Sequence, residues 1–171
     1  LEHQLGNVTI KDCHVLWDNI IAYPTPQTFC AQIKGKTIQH YERYGKYLLF
    51  DLGSMMWIAH MRMEGKFYIQ KSDEPYDKHV HVLFDLQDGR QLRYHDTRKF
   101  GKMYLYEKRK DIHQYPCFQN IGLDAFDERL TPTYLYHALH KRKIVLKAAL
   151  LDQSVIAGIG NIYADEICFA L

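Results

Sequence analysis

The sequence predicts an α+β fold, an N-terminal antiparallel β-sandwich followed by a helical unit, and three observations carry that prediction. Short runs rich in β-branched and aromatic residues dominate residues 7–106. Turn-forming pairs stand between these runs, and after Glu107 the pattern changes to helical periodicity. The chain has 171 residues with 47% hydrophobic content, enough for one sizeable core or two modest ones.

The opening Leu1-Glu2-His3-Gln4-Leu5 lacks an initiator Met and looks like the tail of a helix entered midway. Runs such as Lys46-Tyr47-Leu48-Leu49-Phe50, Met55-Met56-Trp57-Ile58-Ala59 and His79-Val80-His81-Val82-Leu83-Phe84 have strand character. Gly53-Ser54 and Asp88-Gly89 fall between such runs as hairpin turns. One helix interrupts them, with Thr25 as its cap, Pro26 in its first turn and Gly35 closing it. The spacing gives a sandwich or barrel of about seven strands.

Residues 1–107 are therefore expected to form the β domain, residues 108–130 a polar bridge containing Pro116 and Gly122, and residues 131–171 the helical unit. Thr131-Pro132 opens a helix whose Tyr134, Leu135, Ala138 and Leu139 share an apolar face. A second helix is expected over residues 144–152, and a third is capped by Asn161. Residues 162–171 stop within an amphipathic pattern, so the chain is expected to be a fragment.

The formal charge of +2 does not point to nucleic acid, but its distribution is uneven. Arg129, Lys141, Arg142, Lys143 and Lys147 have no acid among them, and Arg98, Lys99, Lys102, Lys108, Arg109 and Lys110 have only Glu107. Two such fields suggest a polyanion, or else simply solvated faces. Cys13, Cys30, Cys117 and Cys168 show no CxxC pair and no disulfide or metal spacing, which suits reduced thiols of an intracellular protein. No stretch approaches the ~20 apolar residues of a membrane span, and the start does not read as a signal peptide.

The most pointed feature is Gly158-Ile159-Gly160-Asn161 ahead of Ile162-Tyr163-Ala164-Asp165-Glu166. Two glycines let backbone N–H groups approach a ligand, and the helix that follows aims its positive end at the same place, as a phosphate site requires. An ordinary helix–turn–helix joint packed through its glycines would look the same. A dinucleotide fold is excluded, because no strand precedes the turn and the spacing is not GxGxxG.

"LLDQSVIAGIGNIYADEICF" resembles the helix-two-turns-helix signature of the formamidopyrimidine-DNA glycosylase and endonuclease VIII superfamily. "YGKYLLFDL", "HMRMEGKF", "KHVHVLFDLQDG" and "LRYHDTRKFGKM" resemble its β-domain motifs, in the family's order and near its spacings. The resemblance covers nearly the whole chain; "YPCFQNIGLDAF" in the bridge departs from the family's proline-and-glycine segment.

The resemblance implies roles position by position. Lys46 matches the β-domain lysine at the scissile sugar-phosphate, where an ammonium can neutralise a phosphate and donate to a leaving oxygen; a lone strand lysine is otherwise an edge residue. His79, Arg98 and Lys143 match DNA-gripping positions, and His60 and Asn161 match phosphate contacts. Lys147 joins Lys143 and Asn161 in the expected phosphate platform. Phe100 resembles the aromatic wedge pushed between bases, Arg98 faces the orphaned base, and Met63 fills the vacated hole, since base flipping requires lost stacking to be replaced. Read alone, Met63 and Phe100 would be core residues. Glu64 is a candidate lesion-pocket contact.

His79, His81, His95 and Asp96 leave a metal site as a competing reading, while the resemblance implies no metal or other cofactor within these residues. The family's chemistry needs an N-terminal proline amine that attacks the sugar C1′, followed by a glutamate, and a carboxy-terminal finger holding one zinc ion. None of these is expected in this chain, and Glu2 is not that glutamate. The whole protein is accordingly expected to be a glycosylase and abasic-site lyase for oxidised purines, monomeric, cytoplasmic and nucleoid-associated, with damaged double-stranded DNA as partner. The fragment is expected to bind DNA without cutting it. The alternative is a non-catalytic helix-two-turns-helix binding module.

Overall fold

The structure, a computed structural model, describes residues 5–140 and 142–170. The expected helix tail around Glu2 and the basic Lys141 lie outside the described residues. The fold is α+β, and the chain divides into two compact units. The first comprises the residues up to Arg43 and Tyr47–Lys108; the second comprises Tyr44–Lys46 and the residues from Arg109 onward.

In the first unit, β1 (Val8–Val15), β3 (Thr37–Ile38), β7 (Lys66–Lys71), β8 (Val80–Leu86) and β9 (Arg90–His95) form one sheet in the order β3-β1-β8-β9-β7. The other sheet has β2 (Ile21–Tyr23), β4 (His40–Tyr44, whose last residue counts with the second unit), β5 (Tyr47–Asp51), β6 (Met55–His60) and β10 (Lys102–Glu107) in the order β2-β10-β6-β5-β4. These ten strands exceed the expected seven. The extra ones are short or polar, such as His40–Tyr44, so a search for apolar runs passes over them. One pairing also departs from the antiparallel rule: β2 runs parallel to β10.

Alternation along each strand sends one set of side chains between the sheets. Trp57 of β6 stacks on Phe50 of β5 at 4.2 Å and meets Phe84 of β8 at 4.5 Å, so the aromatic core joins both sheets. Gly53 and Gly89, at φ of +81° and +85°, make the two expected hairpin turns. Helix α1 (Pro26–Ile33) starts as its sequence dictates, with Thr25 Oγ1 accepting from the Thr28 N–H, and buries Phe29 and Ile33.

The second unit holds α2 (Pro132–Leu139), α3 (Leu146–Leu151) and α4 (Asn161–Phe169). A parallel pair of two-residue strands, β11 (Leu123–Asp124) and β12 (Ile156–Ala157), precedes α2 and α4 respectively. Contrary to expectation, a strand does stand ahead of the glycine turn, too short to show as an apolar run, and the exclusion of a dinucleotide fold rests on the spacing alone. Leu135, Ala138 and Leu139 of α2 pack on a core of Leu150, Val155, Ile156, Ile159 and Ala164. The Tyr134 hydroxyl donates to the Val155 carbonyl at 2.9 Å. The α3 helix is shorter than the expected 144–152 span: Val145 is its non-helical cap and Asp152 already has extended ψ. Asn161 is the first helical residue of α4 rather than its cap, a position Gly160 takes without a side-chain bond.

Candidate nucleic-acid interface

Two loops at one end of the first unit carry Met63, Glu64, Arg98 and Phe100 of the expected side chains. Residues 61–65 join β6 to β7, and residues 96–101 join β9 to β10. The pairings His60↔Lys102 and Lys66↔His95 place the roots of both loops side by side.

At the loop surface, Arg98 unites Met63 and Phe100. Its guanidinium lies 4.9 Å from the Phe100 ring centroid, and its Nη1 is 3.1 Å from the Met63 sulfur. Met63 is 74% exposed and Phe100 51%, so neither is a core residue. Beside them, the Lys99 ammonium sits 4.0 Å from the Trp17 ring centroid. Glu64 is exposed in the same loop as Met63. Exposed apolar side chains gathered in this way mark a candidate interaction surface.

A buried layer beneath fixes this surface. Asp96 is 1% exposed; its Oδ1 accepts from the Arg98 N–H at 3.1 Å, and its Oδ2 from the Gly101 N–H at 2.8 Å and the Tyr94 hydroxyl at 3.2 Å. Burial, with the Asp96 charge beside it, raises the Tyr94 phenol above its ordinary value, so it stays a donor. A Cβ at Gly65 or at Gly101 would run into the Tyr94 hydroxyl. Both loops therefore rest on one phenol. Each also carries a non-glycine residue in the left-handed region, Arg62 at φ +56° and Lys99 at φ +59°, a conformation that costs ~1–3 kcal/mol and persists where its surroundings enforce it. His60 supplies part of that enforcement: it is buried, and its Nδ1 accepts from the Arg62 N–H at 3.0 Å. His60 thus shapes the loop instead of presenting an open ring to solvent.

His79 is half-buried just before β8, its N–H donating to Asp77 Oδ1 at 2.7 Å and its ring 5.6 Å from that of His95. The His79 bond is the main cause that holds the Asp77 carboxyl below the usual range. His81 points inward, with Nε2 2.8 Å from the Asp96 carbonyl, and burial lowers its pKa. His81 and Asp96 of the competing metal reading are thus engaged within the loop layer, and among the described residues no group of three or more His, Cys, Asp or Glu could hold a metal. Arg93, fully buried, donates to the carbonyls of Lys71, Glu74 and Pro75 and to the side chains of Gln70 and Gln91, tying down the loop that leads to His79.

In the second unit, Lys46 is exposed and lies in the turn after β4, not inside a strand. Gly45, at φ +56°, donates its N–H to Asp124 Oδ2 at 2.6 Å, and a Cβ there would stand 3.0 Å from the Ala157 Cβ. Lys46 therefore follows a backbone pinned against the start of the glycine turn. Within that turn, Gln153 Oε1 accepts from the Gly158 N–H at 3.0 Å and its Nε2 donates to the Ile159 carbonyl at 3.1 Å. The first helical bond of α4 is Ala164 N–H to the Gly160 carbonyl, which leaves the N–H groups of exposed Asn161, Ile162 and Tyr163 ahead of the helical ladder. Lys143 is exposed and makes no ion pair with any described residue. Among the described residues, three other cations of the cluster are paired: Lys147 with Asp165 at 2.5 Å, Arg142 with Asp152 at 2.5 Å and Arg129 with Asp127 at 2.7 Å.

The sequence reading named the exposed loop residues, and Asp96 only within the competing metal reading; it did not name Tyr94, Gly65, Gly101 or Arg93. Asp96, two positions before Arg98, had a local signal, because an aspartate there can accept from the backbone two residues on. The convergence on Tyr94 had none, since it depends on contacts between separate loops.

The family model described as Formamidopyrimidine-DNA glycosylase N-terminal domain matches residues 1–103, and that described as Formamidopyrimidine-DNA glycosylase H2TH domain matches residues 121–171. The chain is 44% identical over 162 residues to the formamidopyrimidine-DNA glycosylase of Bacillus subtilis, covering 94% of this chain and 58% of that protein. It is 42% identical over 170 residues to that of Bacillus cereus, covering 99% and 61%. The chain thus spans about three fifths of the curated relatives it matches. Among solved structures, Lactococcus lactis formamidopyrimidine-DNA glycosylase bound non-covalently to abasic-site DNA superposes with a TM-score of 0.90 at 32% identity, over 98% of this chain and 64% of that one. The same enzyme with FAPY-dG DNA gives 0.86 at 33% identity, over 98% and 62%. The 61–65 and 96–101 loops of the first unit and the glycine turn of the second all fall within the matched segments, and the chain belongs to the formamidopyrimidine-DNA glycosylase family.

Proposed function

We propose that the whole protein is a base-excision repair enzyme that removes oxidised purines from double-stranded DNA and then cleaves the abasic site. The observation that carries this reading is the Arg98 guanidinium set between two exposed apolar side chains, Met63 and Phe100. A side chain that replaces a flipped base must be apolar, solvent-exposed before binding and held rigidly from beneath, and the Asp96–Tyr94 layer supplies that rigidity. The glycine turn and Lys143 supply a phosphate site that is indifferent to sequence. Lys46 is the residue we assign to protonating the leaving oxygen during β,δ-elimination.

The covalent step in this reading is Schiff-base formation by a proline amine, with a glutamate as acid and base, and neither role is assigned to any of these 171 residues. A polypeptide of these residues is therefore proposed to bind DNA and leave it intact. The zinc ion of the resemblance is proposed to belong to a finger outside these residues, and no step here uses it. Among the described residues no helix is long and apolar enough to cross a membrane; a cytoplasmic, nucleoid-associated monomer is the setting we propose.

Borohydride trapping on abasic-site DNA tests the assignment. The 171-residue chain should give no covalent complex, whereas the full-length protein with an exposed N-terminal proline should, because an imine requires an unprotonated amine held within attack distance of the sugar carbon. Lys46→Ala in the full-length protein should slow strand cleavage more than covalent capture. Trapping by the 171-residue chain at the full-length rate would place the nucleophile within these residues and overturn the reading.

A further inference from the structure

Strand β1 carries a register shift between Ile10 and Asp12 against β8. The extra residue resets the strand's alternation, so Ile10 and Cys13, three positions apart, are both buried. Cys13 thereby faces α1, where Cys30 stands half-buried on the helix flank. The two sulfurs share a hydrogen bond at 3.2 Å. Disulfide sulfurs sit at about 2.05 Å, so closing the pair needs a movement of roughly 1 Å, within reach of a χ1 adjustment. From the sequence these cysteines, 17 positions apart, showed no disulfide spacing; the bulge brings them together.

We propose that Cys13 and Cys30 form a peroxide-oxidisable dithiol, with Cys30 as the attacking thiolate and Cys13 as the resolving thiol that converts it to a reversible disulfide.

The two thiols are not equivalent. The bond to Cys30, with burial added, holds the proton on Cys13, and the same bond from the other side favours ionisation of Cys30. Cys30 is also the more exposed of the two. A thiolate with solvent access is what hydroperoxides attack, whereas a buried thiol is inert until a neighbour is activated. In the first step the Cys30 thiolate attacks a peroxide oxygen; the O–O bond breaks, hydroxide leaves to become water, and Cys30 becomes a sulfenic acid. In the second step the Cys13 sulfur attacks the Cys30 sulfur and expels the hydroxyl, which departs as water with the Cys13 proton. Two thiols and one peroxide thus give one disulfide and two waters. The product joins α1 to β1, and its formation keeps Cys30 from the irreversible sulfinic stage. Nothing in this chemistry depends on DNA.

The test uses the 171-residue chain in a Cys117→Ser/Cys168→Ser background, leaving only this pair. Hydrogen peroxide should remove both free thiols together, lower the intact mass by the two hydrogens and raise the melting temperature, all reversed by a thiol reductant. Cys13→Ala should stop at a sulfenic acid trapped by dimedone and proceed to sulfinic acid under excess peroxide. Cys30→Ala should leave Cys13 at least tenfold slower to react. Circular dichroism of each variant establishes that it is folded before oxidation. Independent oxidation of the two thiols without mass loss, or an unchanged Cys13 rate in Cys30→Ala, would overturn the proposal.

Discussion

The Tyr94 hydroxyl donates to Asp96 Oδ2 at 3.2 Å, and the two loops that carry Met63 and Arg98 both close over that bond at glycines. A buried carboxylate that accepts three donors, two of them backbone, behaves as a rigid node: each bond lost leaves a desolvated group unpaired. The loops inherit their geometry from this node, while their tips remain exposed.

Gly101→Ala should destabilise the protein by ~1–3 kcal/mol, because the added methyl has to displace the Tyr94 ring or the Asp96 carboxylate. In a Tyr94→Phe background the same substitution should cost less, since the nearest clashing atom is gone. Urea denaturation of both single variants and the double variant reads the coupling; strictly additive losses would mean that the phenol is not what Gly101 accommodates.

Arg93→Ala should cost at least ~3 kcal/mol, because a fully buried side chain is removed and Gln91 and several half-buried or exposed loop oxygens lose their donor at once. Arg93→Lys should recover little, as an ammonium cannot reproduce the guanidinium fork. Hydrogen exchange should show residues 71–79 opening first. Uniform loss of protection across the whole unit would show instead that Arg93 supports the sheet and not this loop.

His81 gives the fold a pH dependence. Burial holds its folded-state pKa below the ordinary 6.5 of the unfolded chain. The unfolded state therefore takes up a proton first as pH falls, and stability present above pH 6.5 declines as pH drops through the folded value. His81→Gln should lower stability at neutral pH yet flatten the slope below it. An unchanged slope in denaturant titrations would remove His81 as its source.

The sequence legibly placed the sandwich and the three helices after residue 130, because hairpin glycines, Thr-Pro caps and apolar faces are local signals; the tips Met63 and Phe100, read alone, were expected in the core and are exposed. Thr25 and Thr131 do cap as read. What it hid was non-local or weakly patterned. Polar β4 offers no apolar run, the Tyr94 node unites loops distant in sequence, and the Cys13 bulge appears only once β1 pairs with β8. Charge counting also overstated the free cations, since Arg129, Arg142 and Lys147 each have a carboxylate partner that pairing across turns and helices supplies.

That difference separates Lys143 from Lys147. Lys143→Ala should weaken duplex binding on every sequence alike and reduce the slope of log Kd against log salt by about one unit. Lys147→Ala should change the slope less, because Asp165 already neutralises that ammonium. Equal slopes for both variants would mean that DNA breaks the Lys147–Asp165 pair on binding.

The most direct measurement compares the affinity of the 171-residue chain for a duplex with one abasic site and for the same duplex intact, in the wild type and in Phe100→Ala and Met63→Ala. The void at an abasic site costs less to open, and an apolar tip recovers stacking only there. Both variants should therefore lose affinity for the abasic duplex several-fold while binding intact DNA nearly as well as the wild type. Equal losses on the two duplexes, or no wild-type preference for the abasic one, would contradict the assignment of this exposed cluster as a base-replacing wedge.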